Sequence, residues 1–191
     1  MEPKDLIAFL GKLERLKCNT RHSWTSTGRH ETVAAHCWRL AVMACLIRGE
    51  IPGVDFDKVL LMCLTHDFGE AVTGDIPSFL KSRADEAKET AAVDGMLAAL
   101  PPAQRDAFAA LFAEMDALQT PEARVFKALD KLEAVLQHNE APLSTWLPLE
   151  YALQKTYGAE EAEEFPFLKA LRAQVLEDTA QKVKDAQDGL Q

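Results

Sequence analysis

The sequence is short of aromatic residues, of positive charge and of long apolar runs. Of its 191 residues 7% are aromatic, and only two are tyrosine. Alternating strand-like runs are missing, which excludes the sheet-built fold classes. No internal repeat, low-complexity tract or linker rich in Gly, Pro or Ser divides the chain, so residues 1–191 read as a single domain. The longest apolar stretch of note, 40–47, is far too short to cross a bilayer, so no membrane partner is expected. The opening segment MEPKDLIAFLGKLERLK is charged and amphipathic, without the apolar core or cleavage site of a signal peptide, and the expected location is the cytoplasm. The four cysteines, Cys18, Cys37, Cys45 and Cys63, form no CxxC pair, and three lie in apolar helical runs. They read as buried free thiols in a reducing compartment rather than as a disulfide or a zinc site. Lys and Arg number 21 against 30 Asp and Glu, a formal net charge of -9. That balance repels a phosphate backbone and excludes a nucleic-acid coat protein, although a local basic pocket could still take a small anion.

What is present is helical. Ala, Leu, Glu and Lys dominate the periodic segments, and the fold class is all-α, a single helical bundle. A first helix is predicted over about 4–17, followed by an irregular, turn-rich stretch, CNTRHSWTSTGRH. A second runs over about 32–48 with Val33, Cys37, Leu40, Ala44 and Ile47 as its inner stripe. A third, about 58–66, is apolar on nearly all sides and therefore central. A loop segment, FGEAVTGDIPSFLKSRAD, follows. Helices are then predicted over about 86–100, 103–118 and 120–138, the last opening on the cap-and-proline signal Thr120-Pro121. A short helix over about 149–157 and a last one over about 159–184, bent at Pro166, form a C-terminal extension to about residue 188.

Four residues with metal-ligating side chains sit in these otherwise apolar helices: His36, the adjacent pair His66-Asp67, and Asp130. Each alone has an ordinary reading. His36 shares a face with Val33 and Leu40 and could be a hydrogen-bonded core histidine. His66-Asp67 could be a helix C-terminus with a solvated carboxylate. Asp130, at the edge of the apolar stripe beside Phe126, could be a solvated acid next to Lys131. Together they offer two nitrogens and two oxygens from three helices, a set that can hold one divalent metal and leave positions open for water and substrate. Cysteine is absent from the set, which disfavours structural zinc.

This H…HD…D pattern resembles the HD-domain metal-dependent phosphohydrolases. The stretches RHETVAAHCWRLAVMA, LTHDFGEAVTGDIP and EARVFKALDKLEAVLQ are similar to the three motif segments of the branch that contains the 5'-deoxynucleotidases, over about residues 6–137. The resemblance implies an all-helical fold and a homodimer. It implies one divalent ion (cobalt, manganese or a similar first-row metal, with magnesium as a further candidate) held by His36, His66, Asp67 and Asp130. It also implies hydrolysis of the 5'-phosphate from a deoxynucleoside monophosphate, a small-molecule substrate.

The residue chemistry extends this expectation. Glu70, four residues after His66, can accept a proton from the attacking water or orient it. Asp75 is expected to hydrogen-bond the water at the ion, with Gly74 before it letting the backbone approach. Arg21 is the phosphate candidate, because a guanidinium grips phosphate bidentately, and Lys81 is a second. Trp24 is expected against the sugar or base, with His22 as the other residue for that place. His22, His30 and His138 otherwise read as surface or loop residues. Two other readings stay open: an HD phosphohydrolase acting on a triphosphate, a cyclic nucleotide or a guanosine polyphosphate, and a non-catalytic helical binding protein. The motif segments carry only Arg21, Arg29 and Lys81, with Arg83 nearby, which suits a monophosphate better than a longer phosphate chain.

Overall fold

The computed structural model describes residues 1–188. The chain starts with α1 (Pro3–Leu13), which tightens into a 3-10 turn, Glu14–Lys17. A β-hairpin follows, β1 (Thr20–Trp24) pairing antiparallel with β2 (His30–Thr32). Then come α2 (Val33–Ile47), α3 (Phe56–Thr65), the single turn α4 (Glu70–Thr73), α5 (Arg83–Leu97), α6 (Pro102–Ala117) and α7 (Pro121–Glu140). The chain ends in α8 (Glu150–Thr156), α9 (Ala159–Glu163) and α10 (Pro166–Asp188). Among the described residues no helix is long and apolar enough to cross a membrane.

Helix starts follow local chemistry. The Thr32 hydroxyl accepts from the Ala35 N–H at 3.2 Å, and the Thr120 hydroxyl from the Ala123 N–H at 3.2 Å, each satisfying a donor that the first turn leaves free. Ser82 and Asp85 form a reciprocal capping box, so α5 begins at Arg83, earlier than periodicity alone places it. Pro166 breaks the C-terminal helix into α9 and α10 rather than bending it. The hairpin is the larger departure from the sequence expectation, since that stretch reads as irregular. Two features beyond its own residues hold it: the Gln137 amide of α7 donates to the Trp24 carbonyl at 2.7 Å, and the Val33 N–H donates to the Asn19 carbonyl at 3.0 Å.

Two apolar clusters result. The larger joins α2, α3, α6, α7 and α10 through residues such as Leu40, Met62, Leu111, Leu129 and Leu168. The smaller joins α1, α2 and α5 through Phe9, Val33, Phe68, Val93 and Met96. Helix α2 serves both, with Val33 and Cys37 in the smaller and Leu40 and Ala44 in the larger, and His36 falls at the junction, fully buried. All four cysteines are free, but only Cys37 and Cys63 are buried; Cys45 points outward despite its apolar neighbours, as does Cys18.

The turn from α3 into α4 is tightly packed against α5. A Cβ on Gly69 would stand 2.8 Å from Glu89 Cγ and 3.0 Å from the Glu89 carbonyl oxygen. Gly69→Ala must therefore push α5 away, and should cost about 1–3 kcal/mol. A lower urea midpoint at unchanged slope is the expected result; an unchanged midpoint would show that the turn has slack.

Candidate metal centre and active site

The groups singled out by the sequence come from three elements that cross at one point. His36 projects from the second turn of α2, His66 and Asp67 from the turn that ends α3, and Asp130 from the middle of α7. His36 Nε2 lies 3.2 Å from Asp130 Oδ1, and His66 Nε2 lies 3.1 Å from Asp67 Oδ1 and 3.7 Å from Asp130 Oδ1. His36, His66 and Asp67 each present a ligating atom within 4.8 Å of the others.

The far sides of both imidazoles are already committed. His36 Nδ1 bonds Glu133 Oε2, and His66 Nδ1 donates to the Cys63 carbonyl at 3.1 Å. Those partners orient the rings and leave each Nε2 turned toward the carboxylates. Two imidazole nitrogens and two carboxylates facing one another form an acceptor-rich set, and its chemistry fits a divalent first-row cation. The carboxylates are poised as anions. Burial opposes the charge of Asp67, but His66, His36 and Arg21 outweigh it and hold its pKa at about 2. Asp130 is likewise held well below the usual carboxylate range against its burial, by Lys127 and the two histidines; Lys127 Nζ donates to its Oδ2 at 2.9 Å. For His36, burial and Arg21 disfavour the charged form, yet the bonds to Asp130 and Glu133 raise its pKa to about 9. The positive charge this proton supplies is what a bound cation would replace.

Beside this point opens a cavity of about 780 Å3, in the size range of small-molecule sites. Arg21, Glu70, Asp75 and Lys81 all line it. Glu70 is buried and its Oε2 has no hydrogen-bond partner. Burial, then the charges of Asp67 and Asp75, push its pKa up to about 9. The Asn19 amide and the Gly74 N–H both donate to the Glu70 carbonyl, at 2.6 and 2.9 Å, and fix the turn that carries it. Asp75 faces the cavity 3.9 Å from Arg21 Nε. Gly74 before it has φ 75° and ψ 166°, a conformation essentially reserved for glycine. Nothing lies within 4 Å of where its Cβ would be, so its task is to redirect the chain, not to admit a close backbone approach.

Arg21 sits among acids. Its NH1 is 3.8 Å from Glu133 Oε2 and 3.9 Å from Glu31 Oε2, and makes no hydrogen bond. Burial works against its charge, but Glu133, Asp67, Glu31 and Asp130 together raise its pKa further. Lys81 lines the cavity already paired with Glu89. Trp24 turns away: it does not line the cavity, and its ring packs on His30 at 3.7 Å between centroids. The cavity position belongs to His22. His138, expected at the surface, is buried and lines the same cavity.

The residue most clearly missed by sequence reasoning is Glu133. It is fully buried, takes His36 Nδ1 on one oxygen and accepts from Arg39 Nε at 2.6 Å on the other. Its spacing of three from Asp130, amid Leu129 and Leu132, was the available signal. Glu31, buried at the end of the hairpin, was missed too.

The family profile described as "HD domain" matches residues 13–171 of this chain. The 5'-deoxynucleotidase HDDC2 of Homo sapiens is 29% identical over 141 residues, covering 72% of this chain and 68% of that protein. A 5'-deoxynucleotidase of Citrobacter koseri is 29% identical over 177 residues, covering 85% and 88%. A crystal structure described as a predicted metal-dependent phosphohydrolase from Magnetospirillum magnetotacticum superposes with a TM-score of 0.81 at 27% identity, covering 94% of this chain and 95% of that one.

Fully buried, Glu133 neutralises three cationic neighbours, His36, Arg39 and Arg21. Glu133→Ala should lower stability by about 3–5 kcal/mol, the cost of stripping a buried ion pair of one partner. Its carboxyl lies below the ordinary value of 4.5, against its burial, because of His36 and the arginines. The contribution is therefore present above pH 4.5 and is lost as the pH falls through the lower folded value. Denaturation of wild type and variant should accordingly converge in acid; a gap independent of pH would assign the loss to packing alone.

Proposed function

The chain belongs to the HD-domain family, and from that footing we propose that it is a metal-dependent phosphohydrolase that removes the 5'-phosphate from nucleoside monophosphates, deoxynucleotides among them. The observation that carries the reading is the convergence of His36, His66, Asp67 and Asp130 beside a cavity whose lining also includes Arg21 and Glu70. In this reading those four residues hold one divalent cation. Bound there, the cation supplies neutralisation of phosphate charge and acidification of water.

The chain's own residues do the rest. The Arg21 guanidinium, in the wall of the cavity, is the donor for a phosphate oxygen. Burial and the charges of Asp67 and Asp75 by themselves keep Glu70 protonated. With those charges offset by a cation held at Asp67, Glu70 is ionised and takes the proton that the attacking water loses as its oxygen bonds to phosphorus. The P–O5' bond breaks, and a proton is returned to the departing 5'-oxygen. Asp75, facing Arg21, holds the guanidinium across the cavity and accepts a hydrogen bond from the water. Glu133, through Nδ1 of His36, fixes the ring that presents Nε2. The cations lining this end of the cavity include Arg21 and Lys81, the latter bound to Glu89, set among Asp67, Glu70, Asp75 and Asp130. That balance suits one phosphate and opposes a triphosphate. By resemblance the active unit is a homodimer.

Phosphate release from ribo- and deoxynucleoside 5'-monophosphates, 3'-monophosphates and triphosphates, with cobalt, manganese, magnesium or chelator, tests the reading. Chelator-sensitive release from 5'-monophosphates alone is expected; release from triphosphates instead would move the activity elsewhere in the family. Glu70→Gln should retain the metal and lose about 10²–10⁴-fold in kcat, whereas Asp67→Ala should lose metal and turnover together; normal turnover by Glu70→Gln would remove Glu70 from the mechanism. Arg21→Ala should act mainly on KM if it grips phosphate equally in ground and transition states.

A further inference from the structure

The cavity carries a second polar cluster that phosphate hydrolysis does not use. On α7, Asp130, Ala134 and His138 all line it. Spaced by four residues, they share one helix face, and the helical rise places His138 roughly 12 Å along the axis from Asp130. Between them Ala134 contributes only a methyl group, which leaves the space above the helix open. Facing His138 stand His22 from β1 and Glu150, the first residue of α8.

Glu150 is 5% exposed; its Oε1 lies 3.0 Å from His22 Nε2 and its Oε2 lies 3.5 Å from His138 Nε2. Oε2 also accepts the Leu147 N–H at 2.6 Å, which anchors the carboxylate. Both imidazole contacts are out of line for hydrogen bonds, so the two Nε2 atoms are buried without a hydrogen-bond partner. Such atoms cost free energy unless a ligand or water satisfies them. The rings are held in place for that task. His138 packs on Trp146 at 4.4 Å between centroids, and the Trp146 indole N–H donates to the His138 carbonyl at 3.1 Å. His22 meets the edge of Phe79 at 5.7 Å.

Irregular strand pairing explains how His22 reaches the cavity beside Arg21. Thr20 pairs with Thr32 and Trp24 with His30, so three residues of β1 face one of β2. A regular strand would send Arg21 and His22 to opposite faces; the bulge turns both toward the cavity.

We propose that His22, His138 and Glu150 form the subsite for the nucleoside end of the substrate and set which nucleotides are accepted. The inference rests on the phosphohydrolase reading above. A nucleoside 5'-monophosphate with its phosphate at Arg21, beside the four proposed ligand residues, lies along α7 over Ala134, and its sugar and base extend toward His138. A carboxylate, two imidazoles and neighbouring aromatic rings suit an uncharged, flat group bearing O–H and N–H donors. The same carboxylate repels a second phosphate. Burial holds the His138 pKa below its ordinary value, which keeps the ring able to donate with one nitrogen and accept with the other.

The test compares wild type with His138→Phe, which keeps the stacking on Trp146, and with Glu150→Gln, which keeps an acceptor for Leu147. Steady-state kinetics would be run on deoxynucleoside 5'-monophosphates and on phenyl phosphate, which has no nucleoside, and calorimetry would give the Kd of the unphosphorylated deoxynucleosides. The expected result is a drop of about tenfold or more in the preference for nucleotide over phenyl phosphate, expressed mainly in KM, together with weaker deoxynucleoside binding. Equal losses on both substrates, or no loss on nucleotides, would make the cluster a structural one and overturn the inference while leaving the phosphatase intact. If wild type with metal hydrolyses neither substrate, the wider reading fails, and the calorimetry still decides: deoxynucleoside Kd values equal in wild type and variants, or no deoxynucleoside binding at all, overturn the subsite.

Discussion

A carboxylate with no solvent contact, on the core helix α7, dictates much of this structure. Glu133 is taken out of water completely, and a lone charge in that place would cost more than the fold has to spare. Its partners must therefore come to it. Arg39 and His36 reach it from α2, and Arg21 stands 3.8 Å away on β1. The pairing locks α2 against α7 in one register, because the bonds have direction whereas apolar contacts alone would tolerate sliding. Arg39 extends the clamp by donating to Glu140 near the end of α7 at 2.6 Å.

The chemical centre is a consequence of that clamp. Once Nδ1 of His36 is spent on Glu133, Nε2 can only look toward Asp130, one helical turn back along α7, and toward the end of α3. The turn after α3 brings His66 and Asp67 to the same point, and Phe126 packs against the His66 ring at 5.2 Å between centroids. Gly69, pressed on Glu89, and Gly74, in a conformation other residues avoid, deliver Glu70 and Asp75 to the cavity. Unpartnered buried polar atoms gather on residues that line the cavity, Arg21, His22, Glu70 and His138, with Glu31 beside Arg21. That distribution is what a fold gives up in stability to hold a reactive site.

The sequence was most legible where local and global preferences agree. Stripes of Leu, Val and Ala mark α2, α3 and α7, and Thr120-Pro121 announces the start of α7. His36, His66, Asp67 and Asp130 stood out because charged and polar groups in apolar helices are few. What stayed hidden depended on distant partners. Glu133 looks like an ordinary helical glutamate until His36 and Arg39, more than ninety positions earlier, are folded onto it. The hairpin has no alternation to betray it, and is held by Gln137 of α7. Trp24 and His22 are separated by two positions in a bulged strand, where spacing does not tell which one faces inward. Cys45 shows the reverse error, an apolar residue in an apolar run that lies on the outer face.

The central claim is that four side chains from α2, the α3 turn and α7 share one cation and that phosphate release depends on it. Titration of the chelator-treated protein with cobalt, read by visible absorption and by phosphate release from a deoxynucleoside 5'-monophosphate, addresses it most directly. The account predicts that both signals saturate together at a single equivalent per chain and that both vanish in His36→Ala. Cobalt that fails to bind, or phosphate release that persists in chelator, would contradict it.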